Sequence, residues 1–233
     1  MATVRKIAST PAVGVRALSA QATREKILKA ATKVFAQHGY QGGSVDKISR
    51  AAKSVDRMIY YYFGSKEGLF IEVIEGIYRR MNEAEAQLKL NSLDPVKALG
   101  QVIEFVLGYY QNHPEFITLL NTENLLQGRH IKQSPRAAQY SSPAIAVIAD
   151  VLARGQAQGL FRSDLKAREV YLLIVSTGYF LMSNRYTLSA FLGERVDTAQ
   201  NMQAWKVFVT DTVLRTVLLK PTDSGDMHGH RHR

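Results

Sequence analysis

The sequence predicts an all-α protein, with a small basic helical unit followed by a larger one of balanced charge. Three observations carry this expectation. Apolar residues recur three and four apart along most of the 233-residue chain, and no stretch alternates with the two-residue period of a strand. Pro95, Pro114 and Pro143 stand where one periodic stretch gives way to the next, with no internal repeat and no glycine-rich phosphate loop. The net charge of +10 is unevenly spread: residues 1–66 hold 12 Lys/Arg against 3 Asp/Glu, while residues 67–233 hold 18 against 17.

The elements follow in order. Residues 1–21 show no periodicity and read as a disordered basic arm. From Thr23, a suitable N-cap, the residues Ile27, Ala30, Ala31, Val34, Phe35 and His38 share one helical face. Gly39 suits a left-handed stop, after which Tyr40 can pack back on Phe35. Ser44 caps a two-turn helix with Val45, Ile48, Ala51 and Ala52 inward. A break at Lys53-Ser54 precedes a second short helix, about Asp56 to Tyr62. Two short helices joined by a tight turn behind a longer one form a helix-turn-helix unit. Ser65 caps a helix from Lys66 to about Leu90. Further helices are expected over residues 95–112, 116–126, 143–155, 166–186 and 198–219. The resulting domains are 22–66 for the helix-turn-helix, 67–220 for the larger helical unit, and a disordered tail at 221–233.

Composition narrows the function. The absence of cysteine excludes disulfides and thiol chemistry and suits a reducing, cytoplasmic setting. The longest uncharged apolar run, Val170–Met182, has 13 residues, too few to span a bilayer, and the chain starts without the apolar stretch of a signal peptide, so no membrane partner is expected. His113, Glu115 and His130 lack metal-ligand spacing. No catalytic residue, metal or cofactor is expected.

A basic N-terminal quarter is the footprint of a phosphate-backbone partner. Within it, Tyr60-Tyr61-Tyr62-Phe63 places four rings around one short helix. Ile59 and Phe63, four apart, can face the core. The three tyrosines cover the other directions, with hydroxyls able to bond phosphate oxygens. Lys66 opposes the dipole of the helix it begins, which makes sense if a phosphate binds that N-terminus.

The pieces "TREKILKAATKVFAQHGY", "SVDKISRAA" and "IYYYFGSKEGLF" together resemble the DNA-binding domain of the TetR family of transcriptional regulators. The resemblance implies a homodimer on a double-stranded DNA operator and a C-terminal helical domain that binds a small-molecule effector. It also implies phosphate contacts from Ser44, Tyr60, Tyr61, Tyr62 and Lys66, and places Arg57 and Met58 where a recognition helix reaches bases. This sequence departs from the family pattern in its turn. Lys53 stands where a glycine is usual, Val55 where a cap is usual, with Ser54 a substitute one residue early, and Asp56 where a lysine often faces DNA.

The second part resembles, less specifically, the C-terminal domain of a TetR subfamily that includes a repressor of nicotinic-acid degradation, on "NHPEFITLLNTENLLQGRHI" and "GYFLMSNRYTLSAFLG". Here Glu123, Asn124, Asn184 and Arg185 are polar groups on or beside apolar helices. They are candidates to orient an effector, with Phe105, Tyr109, Phe116, Tyr179 and Phe180 as pocket walls. The opposing reading is mutual satisfaction, for example of Glu123 by Arg129 or Arg185. The last two long helices carry apolar residues on more than one face, as a two-fold interface requires. A ligand-responsive regulator, most often a repressor, is therefore expected. The alternative is a helical enzyme or carrier whose basic N-terminus binds an acidic partner.

Overall fold

The structure, a computed structural model, describes residues 12–140 and 142–219, and among them ten α-helices, two 3-10 turns and no strand beyond an isolated bridge. The expected all-α class holds. The chain forms two compact units. The first runs through Arg80 and adds Pro114–Ala137; the second comprises Met81–His113 and the chain from Ala138. The unit that holds the helix-turn-helix is thus built from two separate stretches of chain, and its first stretch runs past residue 66.

In the first unit, α1 (Ala12–Gly42) is kinked at Gly39, whose φ of 65° is the left-handed stop its sequence called for. Tyr40 then stacks on Phe35 at 6.1 Å. The helix starts at Ala12 rather than Thr23, whose hydroxyl donates to the Ser19 carbonyl inside the helix instead of capping it. Residues 1–11 of the expected arm, and the tail at 221–233, lie outside the described residues. Helices α2 (Val45–Ala52) and α3 (Asp56–Phe63) follow, then α4 (Lys66–Glu85), five residues shorter than expected. Ile27, Phe35, Ile48, Ile59, Leu69 and Phe70 form a core from which water is fully excluded. Helix α6 (Pro114–Leu125) packs on α1.

The second unit is organised on α5 (Pro95–Asn112), which packs against α7 (Ser142–Ala157), α8 (Ala167–Ser183) and α10 (Ala199–Val217). Asp94 caps α5 by accepting from the Val96 and Lys97 amides at 2.9 and 3.3 Å, and Pro95 fills a position needing no N–H donor. The helix expected over 166–186 is two helices. It breaks at Asn184, whose side chain donates to the Phe180 carbonyl, and α9 (Arg185–Leu192) begins. The end of α10 is tied back by Arg162 N–H to Val217 and Leu219 N–H to Leu160, at 3.0 and 2.9 Å.

Candidate nucleic-acid interface

The α2–α3 geometry follows from local chemistry. Ser44 caps α2, its hydroxyl accepting from Lys47 N–H at 3.2 Å. The helix ends on Lys53 in the left-handed conformation (φ 49°, ψ 48°), with Ser54 N–H bonded to the Ser49 carbonyl at 2.9 Å, a Schellman stop built on a lysine. A lysine held in this conformation carries a side-chain penalty that the usual glycine would not. Ser54 does not cap α3: its N-cap is Val55, with no side-chain bond. Asp56, itself exposed, accepts from the Ser49 hydroxyl, which ties the two helices.

On α3, Ile59 and Phe63 are buried while Tyr60 and Tyr61 are 53% and 75% exposed. Tyr62 and Met58 are half-buried, and Arg57 is exposed. Tyr61 and Tyr62 brace one another edge to face at 5.0 Å. At the start of α4, Ser65 accepts from Gly68 N–H at 2.9 Å. A methyl group at Gly68 would stand 2.3 Å from the Phe63 carbonyl oxygen, so only glycine lets α4 begin this close to α3. The Lys66 ammonium lies 4.6 Å above the Tyr40 ring and 3.5 Å from the Gln41 carbonyl. Partial burial holds it below its ordinary pKa. Arg57, Lys53, Lys66 and the tyrosine hydroxyls can donate to phosphate oxygens or base edges; nothing in the set suits a metal, and the described residues contain no His/Asp/Glu cluster that could hold one.

Residues 27–73 match the family model described as bacterial regulatory proteins, tetR family, and residues 95–213 match the Tetracyclin repressor-like C-terminal domain. Over 206 residues the chain is 49% identical to the HTH-type transcriptional repressor NicS of Pseudomonas putida, covering 88% of this chain and 97% of that protein. The chain belongs to the TetR family. A second relative, the HTH-type transcriptional repressor SCO4008 of Streptomyces coelicolor, is 28% identical over 67% of this chain and 76% of its own. The fold matches a TetR-family regulator from Mesorhizobium loti with a TM-score of 0.65 at 17% identity, over 86% and 98% of the two chains. TetR-family proteins of this kind are DNA-binding transcriptional regulators, not enzymes, and the helical enzyme or carrier is set aside.

In this TetR-family chain the nine residues expected at an effector site are divided between the two units. Phe116, Glu123 and Asn124 belong to the first unit, and the others to the second. Glu123 is buried, and its oxygens accept from the backbone N–H groups of His130 and Ile131 at 2.7 and 2.8 Å and from His130 Nδ1 at 2.8 Å. Its partner is thus His130, not Arg129 or Arg185. Phe116 is buried against Tyr78, and Asn124 is exposed. Arg185 is buried, donating to the Met182 carbonyl at 2.6 Å and lying over the Tyr186 ring at 4.4 Å. Tyr179 is half-buried and Phe180 is 58% exposed. Phe105 and Tyr109 do share a site. Their rings follow one another with that of His113, tilted, with centroids 5.8 and 4.2 Å apart, and line an open cleft of about 400 Å³ with Leu88, Glu104 and Asn112.

Sequence reasoning missed two groups. Glu85, in the last turn of α4, is 4% exposed, one carboxylate oxygen has no partner, and burial pushes its pKa up. Tyr171 on α8 is raised likewise, by burial first and by Glu85 second. The second group is His130, buried at 1% exposure. A glutamate in a charged, helix-ending stretch carries no sequence signal for burial.

Proposed function

We propose that this regulator is a cytoplasmic homodimeric repressor whose α2–α3 face holds an operator and whose second unit binds the small molecule that releases it. The observation that carries the DNA reading is the division of α3, with Ile59 and Phe63 sealed in the core while Arg57, Tyr60 and Tyr61 stand in solvent beside Lys53 and Lys66. In such a helix Arg57 has the reach to read guanine with two bonds, and the tyrosines and lysines to grip phosphates. Repression is favoured by the names of the two relatives above.

The dimer reading rests on exposed apolar residues of the second unit, Phe180, Tyr186, Phe191, Val207 and Phe208. They lie on α8, α9 and α10, and exposed large apolar side chains gathered on neighbouring elements suit an association site. A two-fold axis there would present two recognition helices to two half-sites. The effector reading rests on the Phe105–Tyr109–His113 cleft, whose aromatic wall and polar rim suit a small ligand. Release requires that the ligand distinguish two states of the dimer by roughly 1–3 kcal/mol. The test is to select bound duplexes from random DNA and then to screen metabolites for release. An inverted repeat released by a small molecule supports the whole reading. Selection of no sequence, or a repeat that no metabolite releases, removes the operator or the effector part respectively.

A further inference from the structure

We propose that His130 is a positioning residue for operator binding, holding Tyr40 and through it the Lys66 ammonium in the orientation that meets a phosphate. This rests on the DNA-binding reading of Lys66 given above.

The geometry lies wholly within the first unit. After α6 the chain reverses through two successive left-handed residues, Gln127 (φ 57°) and Gly128 (φ 69°). The reversal brings His130 back over the end of α6, where Glu123 accepts from its backbone N–H and from its ring Nδ1. The imidazole is 1% exposed and wedged between Tyr40, at 4.4 Å, and Phe70, at 4.8 Å. Tyr40 in turn lies 4.6 Å beneath the Lys66 ammonium. Glu123, His130, Tyr40 and Lys66 therefore form a continuous line of contacts from α6 to the N-terminus of α4.

Two features separate this from ordinary core filling. The ring Nε2 is buried without a partner. A buried nitrogen left unpaired is costly, so a phenyl or leucyl side chain would fill the space better. What the imidazole adds is a tether: its Nδ1–H bond to Glu123 fixes the plane of the ring that supports Tyr40. The same turn also occupies Glu67, the acid next to Lys66. Gln133 donates to Glu67 Oε1 at 2.9 Å, and the Arg129 guanidinium lies 3.8 Å from the same oxygen. Glu67 is thereby engaged away from Lys66, and the lysine charge stays available to an anion.

The experiment uses the full-length protein and an operator duplex selected from random DNA. His130→Phe keeps a ring in the core and removes the tether. It is expected to weaken operator binding about fivefold per half-site, the scale of one lost cation–π orientation. The loss should vanish in a Lys66→Ala background, because the two residues act on one contact. Leu119→Ala opens a cavity elsewhere in the same unit, and should lower the melting temperature while leaving affinity intact. Where His130→Phe fails to fold, Tyr40→Leu tests the next link, with the same loss and the same non-additivity expected. Wild-type affinity in His130→Phe overturns the proposal, and so do losses that multiply with those of Lys66→Ala. If Lys66→Ala alone binds as wild type does, the DNA assignment of Lys66 fails first and this proposal falls with it.

Discussion

Lys53→Gly is expected to stabilise the protein and weaken its hold on DNA, two effects of opposite sign from one substitution. Lys53 sits at φ 49°, ψ 48°, and its side chain is exposed, so the folded state gains nothing from packing there. A side chain in the left-handed region costs about 1–2 kcal/mol. Glycine removes that strain but returns about 0.5–1 kcal/mol through the greater freedom of the unfolded chain. The net gain is about 0.5–1 kcal/mol, equivalent to a melting temperature roughly 1–4 °C higher for a chain of this size. On DNA the same change removes one cation per subunit. If both lysines of a dimer meet phosphates, the slope of log K against log salt becomes shallower by about 1.8. Thermal denaturation and a salt titration of operator binding by fluorescence anisotropy read the two effects separately. A lower melting temperature would refute the strain argument, and an unchanged slope would remove Lys53 from the interface.

Three further outcomes follow from the structure. Burial raises the pKa of Glu85, so its contribution to stability is fully present below the ordinary value near 4.3 and is lost as pH rises through the raised folded value; Glu85→Gln should flatten that decline and gain most at neutral pH, and parallel stability–pH profiles would refute it. Lys66 is depressed by burial, and a phosphate beside it favours the charged form, so operator binding should take up protons at alkaline pH; Lys66→Arg should abolish the uptake, and an unchanged alkaline loss of affinity would refute the contact. Phe208, 59% exposed on α10, is counted twice across a two-fold axis; Phe208→Ser at about 2 kcal/mol per copy should raise the dimer dissociation constant roughly a thousandfold, read by sedimentation, and an unaltered dimer would place the interface elsewhere.

Much of the fold was legible because caps and stops are local chemistry. Ser44 and Ser65 each accept from a backbone N–H three residues on, as their sequence positions suggested, whereas Asp94 and Thr198 cap their helices without having been singled out and Thr23 caps nothing. Gly39 was identifiable as a left-handed position for the same reason, and Lys53 only through the resemblance, whose pattern has glycine there. The break at Asn184 was not legible, since neither proline nor glycine marks it and the apolar pattern runs on into α9. Partners were less legible still. Periodicity places Glu123 on the buried stripe of α6, but only the reversal at Gln127 and Gly128 decides that His130 rather than Arg129 meets it. Arg185 looked like the mate of a buried acid, and is instead satisfied by the Met182 carbonyl and the Tyr186 hydroxyl and ring. The return of α6 to the first unit is likewise a long-range contact, which no local pattern encodes.

The measurement that bears most directly on the DNA-binding account is the salt dependence of the purified dimer on its selected operator. With about four phosphates neutralised per subunit by the residues around α2, α3 and the start of α4, log K should fall against log salt with a slope near −7. The double variant Tyr60→Phe, Tyr61→Phe should lose affinity with little change in that slope, because a hydroxyl carries no charge, while Lys66→Ala should make it shallower. A flat salt dependence, or full affinity in all of these variants, would contradict the assignment of this face to DNA.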